Sequence, residues 1–314
     1  MNVTVTGATG TIGLACIEML VRAGHRAQAF VRQPAEFDRL CSDDRVEIVE
    51  GDILDRTGVA GALAATDAVI HCIDFPPNHF SLNWDALRFV LEGLGPRKQL
   101  IYPGNAWVYA PPEDGRVGPD HAKGSPVRLG EIKGDLEKAV TGEDGTVVNL
   151  PEVYGPGVRK GRVYSWFERA LADKAVFVSG DPKRIWEPLY IADAARALVA
   201  PLGRACARGT DYAACGYGPT TPREFVELIF MAAGHAPRLR SRSTNLSRVV
   251  ALLRRESRAQ RDLSYLEEHP VLLDGSQIRQ DLGWVPEVDH REGVRRTMRW
   301  LREASRGLSA SESN

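Results

Sequence analysis

Short runs of apolar and β-branched residues recur along the first half of the chain and alternate with longer segments of helical periodicity. Residues 2–6 alternate apolar and polar positions, which is typical of a strand. The same pattern predicts five further strands, in RAQAFVR, RVEIVEGD, DAVIHCID, KQLIYPG and TVVNLPEVYGPG. Helical spacing predicts helices between them, including TIGLACIEMLVRAG and LNWDALRFVLEGLG. Strands that alternate with helices form βαβ units, so we expect an α/β fold with a doubly wound parallel sheet.

The pattern changes after residue 156, where helical spacing dominates. Helices are predicted in VYSWFERALAD, TPREFVELIFMAAG and REGVRRTMRWLREA, and PLYIADAARALVAPL predicts a strand or turn that enters another helix. Thr221 precedes Pro222 and is the expected N-cap of its helix. The Arg-rich residues 238–262 are interpreted as a helix-rich, solvated surface. The polar residues 305–314 are predicted to be a disordered tail.

Composition narrows the function classes. The chain has 314 residues and a formal net charge of -1, so nothing favours a general nucleic-acid or anionic-membrane binder. No apolar run approaches the ~20 residues of a membrane helix, and the start of the chain does not resemble a signal peptide. The five Cys form no CxxC pair, which favours a reducing cytoplasm and argues against disulfides or a zinc site. We therefore expect a cytoplasmic protein without a metal that acts on a small molecule.

The first strand runs into a glycine-rich turn. TGATGTIG places Gly7, Gly10 and Gly13 between strand and helix, with Thr9, Thr11 and Ile12 among them. Glycines permit the tight turn and a close approach of the backbone, and a pyrophosphate can lie at the helix N-terminus. In the context of a βαβ unit this spacing predicts a dinucleotide site.

The end of the second strand predicts which dinucleotide binds. An NAD site favours a carboxylate there for the ribose 2′-OH, but the sequence is Phe30-Val31-Arg32. Arg32 can pair with a 2′-phosphate, so we expect NADP(H). Asp52 and Ile53 follow the third strand, where they are expected to contact the adenine.

The ordered motifs resemble the extended short-chain dehydrogenases/reductases of the NAD-dependent epimerase/dehydratase group. The resemblance covers nearly all of residues 1–304 and rests on TGATGTIG, GDILD, VIHCID, WVYA, NLPEVYGPG, PLYIADAARAL and LGWVP. It implies a Rossmann-type NADP-binding domain over 1–153 and 189–215, and a smaller substrate-binding domain over 154–188 and 216–304. It also implies that Pro151 and Val153 line the nicotinamide. Such proteins often form homodimers through two helices of each subunit, so a homodimer is a further expectation.

The resemblance also locates the reacting groups, and here the chain departs from the family. Family members use Ser or Thr, Tyr and Lys. The matching positions hold Asn105, Leu129 and Lys133, and none of the eight Tyr has a Lys four residues later. Lys133 is expected to hold the nicotinamide ribose, and Asn105 can donate an N–H to a carbonyl oxygen but cannot protonate it. The proton is then expected from water, from a phenol of the substrate, or from Tyr109.

Aromatic residues suggest the substrate. Trp186 stands near the place where sugar-nucleotide epimerases carry a phosphate-binding Arg, and an indole can stack on a planar ring. Trp107, Leu129 and Tyr154 are the other expected substrate contacts. The favoured function is an atypical NADPH-dependent ketoreductase, with a polycyclic aromatic or polyketide substrate of secondary metabolism. Two alternatives stay open: a nucleotide-sugar epimerase or dehydratase, which the nearby Arg184 would suit, and a non-catalytic NADP(H) sensor.

Overall fold

The structure is a computed structural model. It describes residues 1–95, 97–112, 116–118, 121–242, 261–262, 265 and 268–311. Most of the Arg-rich segment predicted over 238–262 therefore lies outside the described residues. Its first part, Leu239–Arg242, is a strand and not a helix.

A seven-stranded parallel sheet forms the centre of the molecule. Its strands are β1 (Asn2–Thr6), β2 (Arg26–Val31), β3 (Val46–Glu50), β4 (Ala68–His71), β5 (Gln99–Asn105), β6 (Thr146–Leu150) and β10 (Asp211–Ala213). The spatial order is β10-β6-β5-β4-β1-β2-β3, so the order reverses between β1 and β4. Such a reversal leaves a crevice at the carboxyl ends of the two strands, and open α/β sheets bind their ligands there. Six of the strands confirm the sequence prediction; β10 was missed because three residues are too few to show an alternation.

Helices cover both faces of the sheet and build a second lobe. Over the described residues they are α1 (Thr11–Arg22), α2 (Pro34–Leu40), α3 (Arg56–Leu63), α4 (Leu82–Leu94), α5 (Arg128–Gly142), α6 (Gly161–Leu171), α7 (Ile191–Val199), α8 (Pro222–Ala233), α9 (Ser276–Leu282) and α10 (His290–Ser311). The expected cap of α8 is confirmed: Thr221 and Glu224 form a reciprocal capping box. Short strands β7 (Val153–Tyr154) and β9 (Leu189–Tyr190) pair with each other, as do β8 (Val176–Ser179) and β11 (Leu239–Arg242).

Three hydrophobic clusters hold these layers together. One lies between the sheet and helices α1 and α7, and another lies between the opposite face of the sheet and helices α3, α4 and α5. The third cluster joins α6, α8 and α10, the helices that form the second lobe, through Trp166, Phe225 and Met298. Burial of these side chains stabilises each interface by roughly 25 cal/mol per Å² of apolar surface.

The end of the chain corrects one expectation. Helix α10 continues to Ser311, so residues 305–311 are helical and not a disordered tail. No proline interrupts this stretch, and Arg, Leu and Ala there favour continuation of the helix. Residues 312–314 lie outside the described part of the chain. All five cysteines are free, and across the described residues no helix combines the length and apolarity needed to cross a membrane.

Candidate functional site

The glycine turn after β1 has the geometry that close backbone packing requires. Gly7 has φ +71°, and Gly10 N–H donates to the Gly7 carbonyl at 2.9 Å. A Cβ atom on Gly13 would lie 2.3 Å from the Gly7 carbonyl oxygen. Only glycine at position 13 lets α1 lie this close to the turn. The predicted turn therefore forms, and it presents the N-terminus of α1 to the cleft.

Two adjoining cavities open along the carboxyl edge of the sheet. The cavity of about 330 Å³, called here the inner cavity, is lined among others by Ile12 of the glycine turn and by Lys133, Pro151 and Val153, the residues predicted for the nicotinamide and its ribose. The cavity of about 290 Å³, called here the outer cavity, is lined among others by Gly7, Thr9 and Gly10 of the glycine turn and by Arg32, Asp52 and Ile53, the residues predicted for the adenosine half. Both are lined by Cys72, Ile73 and Asp74, so they form one cleft across the turn. A two-part cleft over a glycine cradle fits a dinucleotide.

Thr11 and Gly13 complete the turn without lining either cavity. The Thr11 hydroxyl donates to the Gly157 carbonyl at 3.0 Å, which ties α1 to the loop that enters the second lobe. At the outer cavity Arg32 is exposed, whereas Ile53 is buried. Asp52 Oδ1 accepts the Leu54 N–H at 2.9 Å and so closes its own turn. Among the described residues Arg32 forms no ion pair, which leaves its guanidinium available to an anion.

Lys133 is held at the inner cavity by two contacts. Its Nζ lies 2.9 Å from Asp74 Oδ2 and 5.5 Å from the centre of the Phe80 ring. The side chain is 14% exposed, so its ammonium faces the cleft and is not a solvated surface charge. Lys133 thus lines the inner cavity, and its role in holding the ribose stays a prediction.

Asn105 ends β5 with its side-chain amide oriented. Its Oδ1 accepts the Trp107 N–H at 2.9 Å and caps the short 3₁₀ turn of Ala106–Val108. Because a backbone N–H must meet an oxygen, the Nδ2 group is fixed on the other side. Among the described residues Nδ2 has no hydrogen-bond partner. It is not among the fully buried side-chain atoms that lack a partner, so it remains accessible. Asn105 lines the inner cavity, so two N–H donors are available there.

Glu137 is a functional candidate that the sequence analysis did not identify. It lies one helical turn after Lys133, lines the inner cavity, and is 1% exposed. Its Oε1 accepts the Asn105 N–H at 3.0 Å, and its Oε2 accepts Lys123 Nζ at 2.6 Å. Burial raises the pKa of Glu137 to about 7, against the opposing pull of Lys123. The i, i+4 spacing to Lys133 was the signal that could have found it.

A buried polar network continues from Glu137 away from the cavity. Lys123 also pairs with Asp211 on β10, and Asp211 accepts the side-chain amide of Asn149 on β6. Burial raises the pKa of Asp211. The pKa of Lys123 is also raised: burial alone would lower it, but the nearby carboxylates of Glu137 and Asp211 outweigh burial. Two carboxylates thus share one ammonium group in a poorly solvated place.

Tyr109 does not lie where a proton donor would be needed. It is fully buried in a cluster with Val117 and Leu273, and its hydroxyl meets the Asn149 amide at 3.3 Å. Burial raises its pKa, so the phenol holds its proton. Tyr109 directly follows the Ala106–Val108 turn and does not line the inner cavity. Of the three expected proton sources, Tyr109 is therefore corrected; the tyrosine that lines the inner cavity is Tyr102, on β5.

Three of the four expected substrate contacts are also corrected. Trp186 and Tyr154 are 2% and 1% exposed, and both pack on Phe225 in the core of the second lobe. Leu129 is buried and its N–H donates to Asp262 Oδ2 at 3.2 Å, so the chain at residue 262 covers the first turn of α5. Of the four, only Trp107 lines the inner cavity.

The inner cavity contains further polar groups that local sequence patterns did not reveal. They are His71, Asp74, Tyr102, Glu152 and Lys160. His71 Nδ1 lies 2.7 Å from the Thr6 hydroxyl, and burial lowers its pKa to about 4, so the imidazole is neutral. Within the described ranges no three His, Cys, Asp or Glu side chains are grouped to hold a metal ion.

The sequence of this chain is similar to those of known nucleotide-dependent enzymes. A family model described as NAD(P)H-binding matches residues 7–86, which include the glycine turn and Arg32. The 3-diazoavenalumate denitrifying reductase of a Streptomyces species is 30% identical over 226 residues, which cover 64% of this chain and 71% of that protein. The chain belongs to the NAD-dependent epimerase/dehydratase family of extended short-chain dehydrogenases/reductases. Its first domain is an NAD(P)-binding Rossmann domain.

Other members of this family match over nearly the whole chain. A dTDP-glucose 4,6-dehydratase of Actinoplanes is 26% identical over 334 residues, covering 96% of this chain and 98% of that protein. The crystal structure of dTDP-glucose 4,6-dehydratase from Bacillus anthracis, in complex with NAD, superposes with a TM-score of 0.80, 15% identity and coverage of 96% and 97%. That likeness confirms the parallel sheet flanked by helices and the fold of this family. The family contains oxidoreductases, epimerases and dehydratases that use NAD(P).

Proposed function

We propose that the protein is an NADPH-dependent reductase that reduces a carbonyl group of a small molecule. One observation carries the proposal: the free amide of Asn105 and the ammonium group of Lys133 line the same cavity as Ile12, Pro151 and Val153. When bound, the cofactor supplies a hydride. The chain supplies the N–H donors for the oxygen on which negative charge develops.

Each group around the cavity then has a separate task. Asn105 Nδ2 donates to the acceptor oxygen, and its orientation is fixed by the Trp107 N–H. Lys133 holds the ribose and adds positive charge near that oxygen. Leu129, one turn before Lys133, has no acidic proton, so α5 offers no phenol to the cleft. An alkoxide that forms beside these residues must find its proton elsewhere or be avoided.

The absent phenol favours acceptors that tolerate its loss. A carbonyl conjugated in a quinone or bonded to a neighbouring phenol of the substrate spreads or neutralises the charge as it forms. By its name, the Streptomyces relative acts on a diazo compound with loss of nitrogen. Hydride addition to an aryl diazonium releases N₂ and requires no proton. Trp107 lines the inner cavity and is proposed to contact a planar ring; Trp186 and Tyr154 are buried and do not support a polycyclic substrate.

A nucleotide-sugar dehydratase or epimerase is the second candidate, because the full-length relatives include enzymes with those names. The site supports it less. These reactions begin by removing a proton from a hydroxyl group, and Arg184 bonds the Ser179 and Asp181 carbonyls instead of lining the cleft. The deciding experiment measures NADPH oxidation with ketones, hydroxyquinones and aryl diazonium salts, and product formation from dTDP-glucose and UDP-glucose. Reduction of a member of the first group supports the proposal. Conversion of a sugar nucleotide alone contradicts it, and NADPH binding without any turnover favours the sensor.

Arg32→Ala should remove the preference for NADPH. A charge-assisted hydrogen bond contributes ~1.5–3 kcal/mol, so the NADPH affinity should fall roughly tenfold to over a hundredfold while NADH affinity stays unchanged. Calorimetric titration with both cofactors measures this, and Arg26→Ala, at the other end of β2, is the control. Equal affinities of the wild-type protein for NADPH and NADH would contradict the assignment.

Lys133→Met should weaken NADPH binding and turnover together and leave the fold intact. The ion pair with Asp74 is partly solvated and contributes roughly 1 kcal/mol or less to stability, so unfolding should change little. Lys138→Met, at an exposed position of the same helix, is the matched control. Thermal unfolding and NADPH fluorescence titration test both halves of the statement. If both variants bind NADPH like the wild type, Lys133 does not hold the ribose.

A further inference from the structure

The carboxyl group of Glu137 lies directly beneath the groups that would hold the acceptor oxygen. It bonds the backbone of Asn105, whose side-chain amide faces the inner cavity, and it follows Lys133 by one helical turn. Gly104 makes room for it: a Cβ there would lie 2.9 Å from Glu137 Oε1. Glu137 lines the inner cavity although its residue is 1% exposed.

We propose that Glu137 donates the proton that completes reduction of a carbonyl substrate in this cavity. The assignment rests on the proposed reductase function. It gives the protein an acid of its own in place of the tyrosine that α5 lacks. Substrate or water as the proton source then becomes the competing outcome.

The charges around Glu137 explain why it can hold a proton at neutral pH. Lys123 and Asp211 face it from the preceding loop and from β10, and Lys133 lies one turn away on α5. Tyr102 on β5 and buried Tyr109 contribute phenols of raised pKa, which remain neutral. Lys123 alone cannot neutralise both carboxylates, and burial penalises the second negative charge. One proton shared between the carboxyl groups of Glu137 and Asp211 avoids this second buried negative charge.

The bonds balance without another reactant. Reduction adds a hydride to the carbonyl carbon and a proton to its oxygen. The O–H bond of the Glu137 carboxyl breaks, its proton passes to the substrate oxygen, and the carboxylate that remains is stabilised by Lys123 and the Asn105 N–H. A carboxyl oxygen can accept from Lys123 while its proton points elsewhere. Lys123 and Asp211 are 11% and 18% exposed, and they connect the carboxylate with solvent for return of the proton.

Glu137→Gln is the direct test because the amide keeps the shape and the acceptor for the Asn105 N–H. Asp135→Asn, on the exposed side of the same helix, is the matched control. With a simple ketone at pH 7 the kcat of Glu137→Gln should fall at least about 100-fold. With an aryl diazonium, where no proton enters the product, its kcat should remain at the wild-type value. NADPH affinity should be unchanged in both variants.

The pH profile gives an independent readout. The acid form of Glu137 is the active one, so wild-type ketone reduction should be constant below its pKa of about 7 and decline above it. The Glu137→Gln profile should lack that decline. Infrared difference spectra of the cofactor-free protein should show one carboxyl titrating near neutral pH, and that band should be missing in Glu137→Gln.

The outcomes separate the explanations. Equal losses with ketone and diazonium would make Glu137 a structural residue and overturn the proposal. Full ketone reduction by Glu137→Gln would assign the proton to substrate or water. If no carboxyl titrates near neutral pH, Glu137 cannot hold the proton. If the wild type reduces neither acceptor, the reductase function itself fails and this assignment fails with it, although the infrared titration would still report the shared proton.

Discussion

Asn105→Asp should lower the kcat of carbonyl reduction by about 10²–10³-fold and leave NADPH affinity nearly unchanged. The carboxylate can still accept the Trp107 N–H, so the 3₁₀ turn keeps its cap. It cannot donate to the acceptor oxygen, and it places a negative charge where negative charge develops. The loss is therefore in the reaction step, because the two N–H donors act on charge that is absent from the bound ketone.

Asn105→Ser separates this effect from a disturbed turn. A hydroxyl group can accept the Trp107 N–H or donate to the acceptor, and the resembling family carries Ser or Thr at this position. We expect Asn105→Ser to retain much more activity than Asn105→Asp. Steady-state kinetics with a ketone and NADPH titration of each variant provide the comparison. If Asn105→Asp reduces the ketone as fast as the wild type, the amide does not contact the acceptor.

Gly13→Ala should abolish tight cofactor binding and destabilise the apo-protein by roughly 1–3 kcal/mol. Its Cβ would lie 2.3 Å from the Gly7 carbonyl oxygen and 3.0 Å from the Ala8 Cα, which are backbone atoms that cannot rotate away. Helix α1 must move off the turn, and its N-terminal N–H groups then no longer meet the pyrophosphate. A few tenths of an ångström matter here because the donors are fixed in a helix.

Gly61→Ala is the matched control for Gly13→Ala. Gly61 is a helical glycine in α3, and nothing lies within 4 Å of an added Cβ. This substitution should stabilise the protein by up to about 1 kcal/mol through helix propensity, with NADPH binding intact. Chemical denaturation and NADPH titration of both variants test the contrast. Wild-type affinity in Gly13→Ala would show that the turn tolerates a side chain.

The parts of the site that the sequence predicted are those determined by neighbouring residues. The roles of Gly7, Gly10 and Gly13 follow from a strand, a turn and a helix within one short segment, and strand alternation predicted six strands of the sheet. Arg32 was found because it directly follows the second strand, and Lys133 because the resembling family carries a Lys at the matching position. Their placement at the cleft needed no knowledge of distant packing.

The errors come from packing between distant segments. Trp186 and Tyr154 share the composition of a ring-binding surface, but Phe225 and helices from elsewhere in the chain enclose them. Tyr109 was misplaced because Val117 and Leu273, from distant parts of the chain, enclose it in a separate hydrophobic cluster. Glu137 could be seen in the sequence as a neighbour of Lys133. Its pKa of about 7, however, depends on its burial near Gly104, Lys123 and Asp211, which only the folded chain brings together.

The order in which the lobes close follows from the residues of the third hydrophobic cluster. That cluster combines Tyr154 and Trp166 with Val294 and Met298, so its last members leave the ribosome long after its first. The dinucleotide cradle, in contrast, uses residues that precede Tyr154 and therefore emerge before this cluster. A nascent chain should therefore acquire its cofactor half early and expose the apolar side of α6 and α8 until α10 arrives. Shortening the chain before α10 would leave that surface uncovered and turn a folding protein into an aggregating one.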